Sequence, residues 1–126
     1  MSLEPDFAPE LTALVSSAIK ADASNLDFLM HHDEINVNFR VNGVHELHSG
    51  LSIEQKKSVL TEIHCKLLGH EKVSYDRYED AVFHLPHEEW QSIRVRLAMA
   101  PYLNGCMILM RLLRVEPNTK PVTDSV

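Results

Sequence analysis

Arg94 and Arg96 stand two residues apart in the run Ile93-Arg94-Val95-Arg96-Leu97, and Arg111 lies in a second apolar run, Met107 to Leu113. Alternation with a period of two makes the first run a strand, so Arg94 and Arg96 share one of its faces. Guanidinium is permanently charged and offers a planar fork, which suits phosphate and carboxylate oxygens. Composition alone also supports a plainer reading, a solvated sheet face. Eight histidines invite a metal hypothesis, through His31 and His32, His45 and His48, or His84 and His87. None of these pairs has a cysteine or carboxylate at a standard zinc spacing, and His45 and His48 face opposite ways in a strand. Surface histidines and no metal are expected. Glu79-Asp80 and Glu88-Glu89 are adjacent carboxylates near turn signals, which suits solvated loops better than acid–base catalysis. Cys65 follows His64, but neighbours in a helix do not face each other, and no serine or cysteine has a nucleophile context. Trp90 is expected to be a partly buried anchor, and Met99, Met107 and Met110 to pack in the core. The phosphate-cradling loop G-x-x-x-x-G-K-S/T is absent, and none of the four glycines, Gly43, Gly50, Gly69 and Gly105, is followed by lysine. The chain is therefore expected to be non-catalytic, with no cofactor of its own.

The elements that position these residues follow from patterning. Pro9 suits a first helical position, and Leu11, Leu14, Val15, Ala18 and Ile19 recur at helical spacing, giving a helix over roughly 9–22. Asn25 to Met30 reads as a short strand. After the polar turn His31-His32-Asp33, the apolar Ile35, Val37, Phe39 and Val41 alternate with Asn36, Asn38 and Arg40, a strand with one wet face. Asn42-Gly43 is a hairpin signal, and Val44 to Leu47 returns as the partner strand. Ser52-Ile53-Glu54-Gln55 is a capping box, which opens a second helix with the stripe Ile53, Val59, Leu60, Ile63 and Leu67 and an end at Gly69. Val82 to Leu85 is a third strand region, stopped by Pro86. Ile93 to Met99 and Cys106 to Leu113, joined through Pro101, Asn104 and Gly105, complete the sheet. The fold class is α+β, an antiparallel sheet of five to six strands with two helices on it. Residues 1–8 are expected to be a flexible N-terminus or an expression remnant, 9–114 the domain, and 115–126, with two prolines and no periodicity, a tail or linker.

Composition bounds the rest. A chain of 126 residues that is 44% apolar makes one domain with a real core. No run approaches the ~20 apolar residues of a transmembrane helix, and no signal peptide is visible. A net charge of −6 without a basic run argues against nonspecific nucleic-acid binding. Cys65 and Cys106 are expected to be reduced thiols, which makes the cytoplasm the default compartment.

The spacing of Arg96, Pro101, Gly105 and Arg111-Leu112-Leu113 resembles R-V-S-T-x-P-x-x-x-G-E-x-x-V-x-R-L-L, without a gap. That segment belongs to the domain just ahead of the motor in type II secretion, type IV pilus and type IV secretion ATPases. Upstream, Ala23-Ser24-Asn25-Leu26-Asp27 is similar to the family's A-S-D-I/L-H. Phe39-Arg40-Val41-Asn42-Gly43-Val44 resembles R-F/Y-R-I/V-D-G-V. The helix ending Ile63-His64-Cys65-Lys66-Leu67-Leu68-Gly69 resembles R-I/L-K-x-M/L-A-G/N, and Tyr75 to Phe83 fills the slot of R-x-P-Q-D-G-R. The likeness keeps order and spacing over about 23–113.

The resemblance implies a PAS-like domain in a hexameric ATPase that drives secretion, pilus assembly or retraction. Such a domain packs on the motor domain of an adjacent subunit, and its arginines reach nucleotide phosphates in trans, here Arg96, Arg94 and Arg111. ATP and Mg²⁺ would belong to the full-length protein. Inner-membrane platform proteins of the secretion or pilus system would be further partners, with no nucleic acid and no direct membrane insertion. The location implied is cytoplasmic, peripheral to the inner membrane. Several residues depart from the pattern. Val82 stands where R-x-P-Q-D-G-R has an arginine, Asn25 and Asn42 replace aspartates, and Asp27 replaces a histidine. Cys106 replaces a glutamate, and Arg94 stands where the family usually has aspartate. These changes point to a divergent branch, such as those serving type IV secretion and conjugation, or to a copy relieved of nucleotide contact. The alternative is a free-standing PAS-like module that binds a protein or a small molecule in an apolar pocket.

Overall fold

A computed structural model describes residues 7–31, 34–47, 50–102 and 104–117. The first helix, α1, spans Pro9–Lys20 with proline at its start and buries Leu11, Leu14, Val15, Ala18 and Ile19. It stops two residues short of the expected end, because the chain turns through Asp22 at φ 64°. Ala8, expected in the flexible start, is fully buried as the residue that opens α1. Its methyl group accepts no hydrogen bond, and a distant residue, Glu62, takes that role. Glu62 accepts from the backbone N–H of Leu11 at 2.8 Å and of Glu10 at 3.1 Å.

Three strands follow: β1 (Asn25–His31), β2 (Glu34–Val41) and β3 (Val44–Leu47). Asn42 and Gly43 have φ of 53° and 80°, the two left-handed residues that a tight hairpin of this twist requires. The capping box at the start of α2 (Ile53–Thr61) is formed, Gln55 N–H to Ser52 Oγ at 3.1 Å and Ser52 N–H to the Gln55 side chain at 2.9 Å. The expected single helix instead widens at its end into a π-helical turn, Glu62–Leu67, before Gly69 ends it at φ 75°. Ile53 is 40% exposed and lies off the apolar stripe, which Val59, Leu60 and Ile63 carry into the core.

The second half adds β4 (Glu79–Leu85), β5 (Trp90–Tyr102) and β6 (Gly105–Pro117). All pairings are antiparallel, in the order β3-β2-β1-β6-β5-β4, so the first and last strands of the sheet's chain order meet at its centre. The fold is α+β, a six-stranded sheet with two helices, as its sequence pattern implies. The strands run further than side-chain alternation suggests. Trp90 pairs with Pro117 and Ser92 with Val115, so residues 115–117 belong to the sheet rather than to the tail. Backbone ladders need no apolar alternation to continue, and the sequence pattern therefore marks only their buried part. Residues 118–126 lie outside the described residues, as do His32, His48 and most of the expected N-terminal stretch.

One face of the sheet is the core. Leu26 and Phe28 of β1, Val37 of β2, Val95 and Leu97 of β5, and Ile108 and Met110 of β6 are fully buried with α1 and α2 residues. Among the described residues, no helix is long and apolar enough to cross a membrane.

Candidate functional site

Because Ile93, Val95, Leu97 and Met99 point into the core, the intervening Arg94 and Arg96 must point out of the other face. The same holds on β6, where burial of Cys106, Ile108, Met110 and Leu112 turns Arg111 and Leu113 outward. The antiparallel register then sets Arg96 directly opposite Arg111, and Arg94 opposite Leu113. The three guanidinium groups and Leu113 line one hollow of about 180 Å³. Among the described residues, none of the three arginine side chains makes a hydrogen bond or ion pair with another residue. Like charges directly across a ladder repel. The arrangement therefore has uncompensated positive charge and fifteen N–H donors' worth of capacity, five per guanidinium, open to an incoming anion.

The register extends this row across the whole sheet. Val82 on β4 faces Arg96, Arg96 faces Arg111, Arg111 faces Asn25, Asn25 faces Arg40, and Arg40 faces His45. Val82 thus lies beside Arg96 on the same open face, 42% exposed. Arg40 was not singled out by spacing, since its relation to Arg111 passes through strand pairings far apart in the chain. Its guanidinium donates to His45 Nε2 at 2.7 and 3.2 Å, so it is engaged where the other three are not. Because guanidinium only donates, Nε2 accepts, which leaves the His45 N–H on Nδ1, 3.9 Å from Asp27 Oδ2. Asp27 is 4% exposed and its Oδ1 has no partner. Burial pushes the Asp27 carboxyl up from its ordinary pKa, opposed by the Met110 N–H and the charges of His45 and Arg40.

The remaining residues read from the sequence fall elsewhere. Glu79 and Asp80 are not in a loop but open β4, where adjacent residues take opposite faces; Glu79 pairs with His70 at 2.9 Å. Glu88 and Glu89 lie in the connection from β4 to β5, and Trp90 is partly buried against the core. Met99 and Met110 are core residues, whereas Met107, three positions from Met110 in a strand, takes the opposite face. Cys65 and Cys106 are free thiols, and burial raises the pKa of the Cys106 thiol. The described residues bring together no group of three His, Cys, Asp or Glu side chains suited to a metal ion. Neither the models of known protein families nor the curated proteins contain a match to this chain.

Proposed function

We propose that the chain is the non-catalytic, PAS-like N-terminal domain of a hexameric secretion or pilus motor ATPase. It packs on the motor domain of the neighbouring subunit and couples nucleotide state to domain movement. The observation that carries this reading is the cluster Arg94, Arg96 and Arg111, without side-chain partners on an open sheet face, since guanidinium forks suit phosphate oxygens approaching from outside. A trans arginine ties hydrolysis to the position of the domain that bears it. Support also comes from the hairpin spacing Arg96, Pro101, Gly105 and Arg111, and from an α+β sheet of the expected size. The protein would work in the cytoplasm, held at the inner membrane through platform proteins, with ATP and Mg²⁺ bound by the motor.

The test is Arg96→Ala in the full-length hexamer. Trans arginines contribute about 10³–10⁵ to turnover in nucleotide hydrolases. ATP turnover is expected to fall at least about tenfold, with the domain still folded by circular dichroism. Unchanged turnover removes the cluster from the mechanism. The second reading, a free-standing PAS-like module, rests on a cleft of about 260 Å³ lined by Ile35, Lys57, Leu60, Thr61, Val73 and Tyr75. That is below the roughly 300–1,000 Å³ typical of small-molecule sites, whereas an anion met from outside by the arginine face needs no enclosed cavity. A stop codon directly after Val126 in the parent gene would favour the module; a phosphate-cradling loop there would favour the motor.

A further inference from the structure

Strand β4 is one edge of the sheet, and β5 is the only strand alongside it. An edge strand presents a row of unpaired N–H and C=O groups, and proteins usually blunt such edges. The other edge, β3, is blunted by its length, since it spans only Val44–Leu47. β4 runs from Glu79 to Leu85 with no lysine, no proline and no bulge, its residues pairing in turn with Met99 back to Ile93 of β5. Among the described residues, no backbone hydrogen bond is made from the outer side of β4.

The sequence of β4 is complementary to itself. Val82 is its midpoint, and Asp80, Val82 and His84 share the open face. A second copy turned by half a turn about an axis through Val82 aligns all seven residues antiparallel. Val82 then meets Val82, Asp80 meets His84, and Ala81 meets Phe83 of the second copy. Glu79 faces Leu85, but its carboxylate is already held by His70 at 2.9 Å. Asp80 is exposed and His84 half-buried, and neither side chain has a hydrogen bond or ion pair among the described residues. An imidazole donates to a carboxylate whether neutral or charged. His84 also stands opposite Arg94 on β5, so an incoming Asp80 meets a positive part of the open face. Symmetry forms each such pair twice. Moving the axis to Ala81 or Phe83 shortens the ladder and sets Val82 against Asp80 or His84. Just outside the ladder, Tyr78, 79% exposed, comes beside Pro86 of the second copy.

We propose that β4 is a dimerisation edge, at which a second copy of this chain pairs antiparallel about Val82 to make one continuous sheet. A charge on an edge strand ordinarily discourages strand addition, and Asp80 does so unless the incoming strand offers a donor opposite it. The strand that offers one in the right place is β4 itself. The pairing also gives Val82 a role. The row Arg111, Arg96, Val82 continues across the axis into Val82, Arg96 and Arg111 of the second copy, with the two valines as an apolar seam. A cation at position 82 would face its own copy and close the edge. The inference does not rest on the motor reading.

The test is sedimentation equilibrium of this 126-residue chain, whose monomer mass is 14.3 kDa, at concentrations up to about 1 mM. The wild type should approach twice the monomer mass as concentration rises. His84→Asp sets aspartate against aspartate at two places and should weaken association at least about tenfold. Adding Asp80→His to that variant restores both opposite pairs in exchanged order, and should recover the wild-type constant to within about threefold. Val82→Lys should leave a monomer that thermal unfolding shows to be folded, and it decides the matter if His84→Asp does not fold. A wild type that stays monomeric overturns the proposal, as does a mass that climbs past the closed dimer. Association that withstands both His84→Asp and Val82→Lys places the contact elsewhere and overturns it too. A folded double variant that stays as weak as His84→Asp overturns the pairing of Asp80 with His84.

Discussion

Glu62→Ala tests how the two helices are locked together. Helix α1 starts with Ala8, which has no side-chain acceptor, and with Pro9, which has no N–H. The first orphan donors are therefore Glu10 and Leu11, and Glu62 takes both through separate carboxylate oxygens at 3.1 and 2.8 Å. It does so across 51 residues of chain, so it is at once a helix cap and a tertiary tie. Hydrogen bonds to a charged group contribute roughly 1.5–3 kcal/mol each. A carboxylate at a helix N-terminus adds roughly 0.3–1 kcal/mol, rising to about 2 in partly buried geometry. These contributions overlap, and the Glu10 side of the site reaches water, so the lower end applies. Because Glu62 is only 6% exposed, solvent replaces little of what is lost. Glu62→Ala should cost about 3 kcal/mol in urea unfolding with an unchanged m-value, and Glu62→Gln, which keeps one acceptor, about half as much. A cost below about 0.5 kcal/mol for Ala would show that water or another group caps α1 just as well.

Two further substitutions probe the sheet at β1 and β6. At Gly105, an added Cβ would collide with the Met30 backbone carbonyl where β6 meets β1, so neither flank can give without breaking the ladder. Gly105→Ala should destabilise by about 3 kcal/mol or leave the chain insoluble, as read by thermal unfolding; a cost under about 1 kcal/mol would contradict the close approach. Asp27→Asn addresses the buried carboxyl. Its folded pKa is raised above 3.8, so the folded state binds more protons than the unfolded one just above that pH, and stability falls as pH rises through the window. Asparagine removes the penalty. Denaturation midpoints of Asp27→Asn should match the wild type near pH 3 and exceed it by pH 7, and equal midpoints across that range would show a carboxylate that is at ease.

Periodicity was enough to read most of this scaffold, because burial on one side writes itself into the sequence at spacing two or 3.6. Asn42-Gly43, the Ser52–Gln55 capping box and the alternations about Val37 and Val95 each have a local cause and formed as read. What stayed hidden depends on residues distant in the chain. The cap from Glu62 to α1 has no local signature, and the π-helical turn replaces a regular helix for reasons the pattern does not carry. The arginine site was half legible. Spacing gave Arg94 and Arg96 a common face, but only the register of β5 against β6 brought Arg111 opposite Arg96, and only two more pairings put Arg40 in the same row.

That row supplies a physical reason to place function on the open face rather than in the core. The core face is locally consistent, apolar against apolar on every strand, and asks nothing of a partner. The outer face carries a conflict: Arg96 and Arg111 are directly opposed, Arg94 joins them, and no described acid relieves the repulsion. Glutamine, glutamate or threonine at Arg96 or Arg111 would keep the strands and relieve the repulsion, so the fold has no need of the arrangement. An anion docked from outside does need it. An arginine at position 82 would put three guanidiniums side by side in one row on β4, β5 and β6; valine there instead gives Arg96 an apolar shoulder. The replacement lowers the repulsion stored in the free domain and also the number of forks offered to an anion. On the motor reading proposed above, that means a weaker contact at a lower cost in stability, and the size of the Arg96→Ala effect on turnover would measure how much of the contact is left.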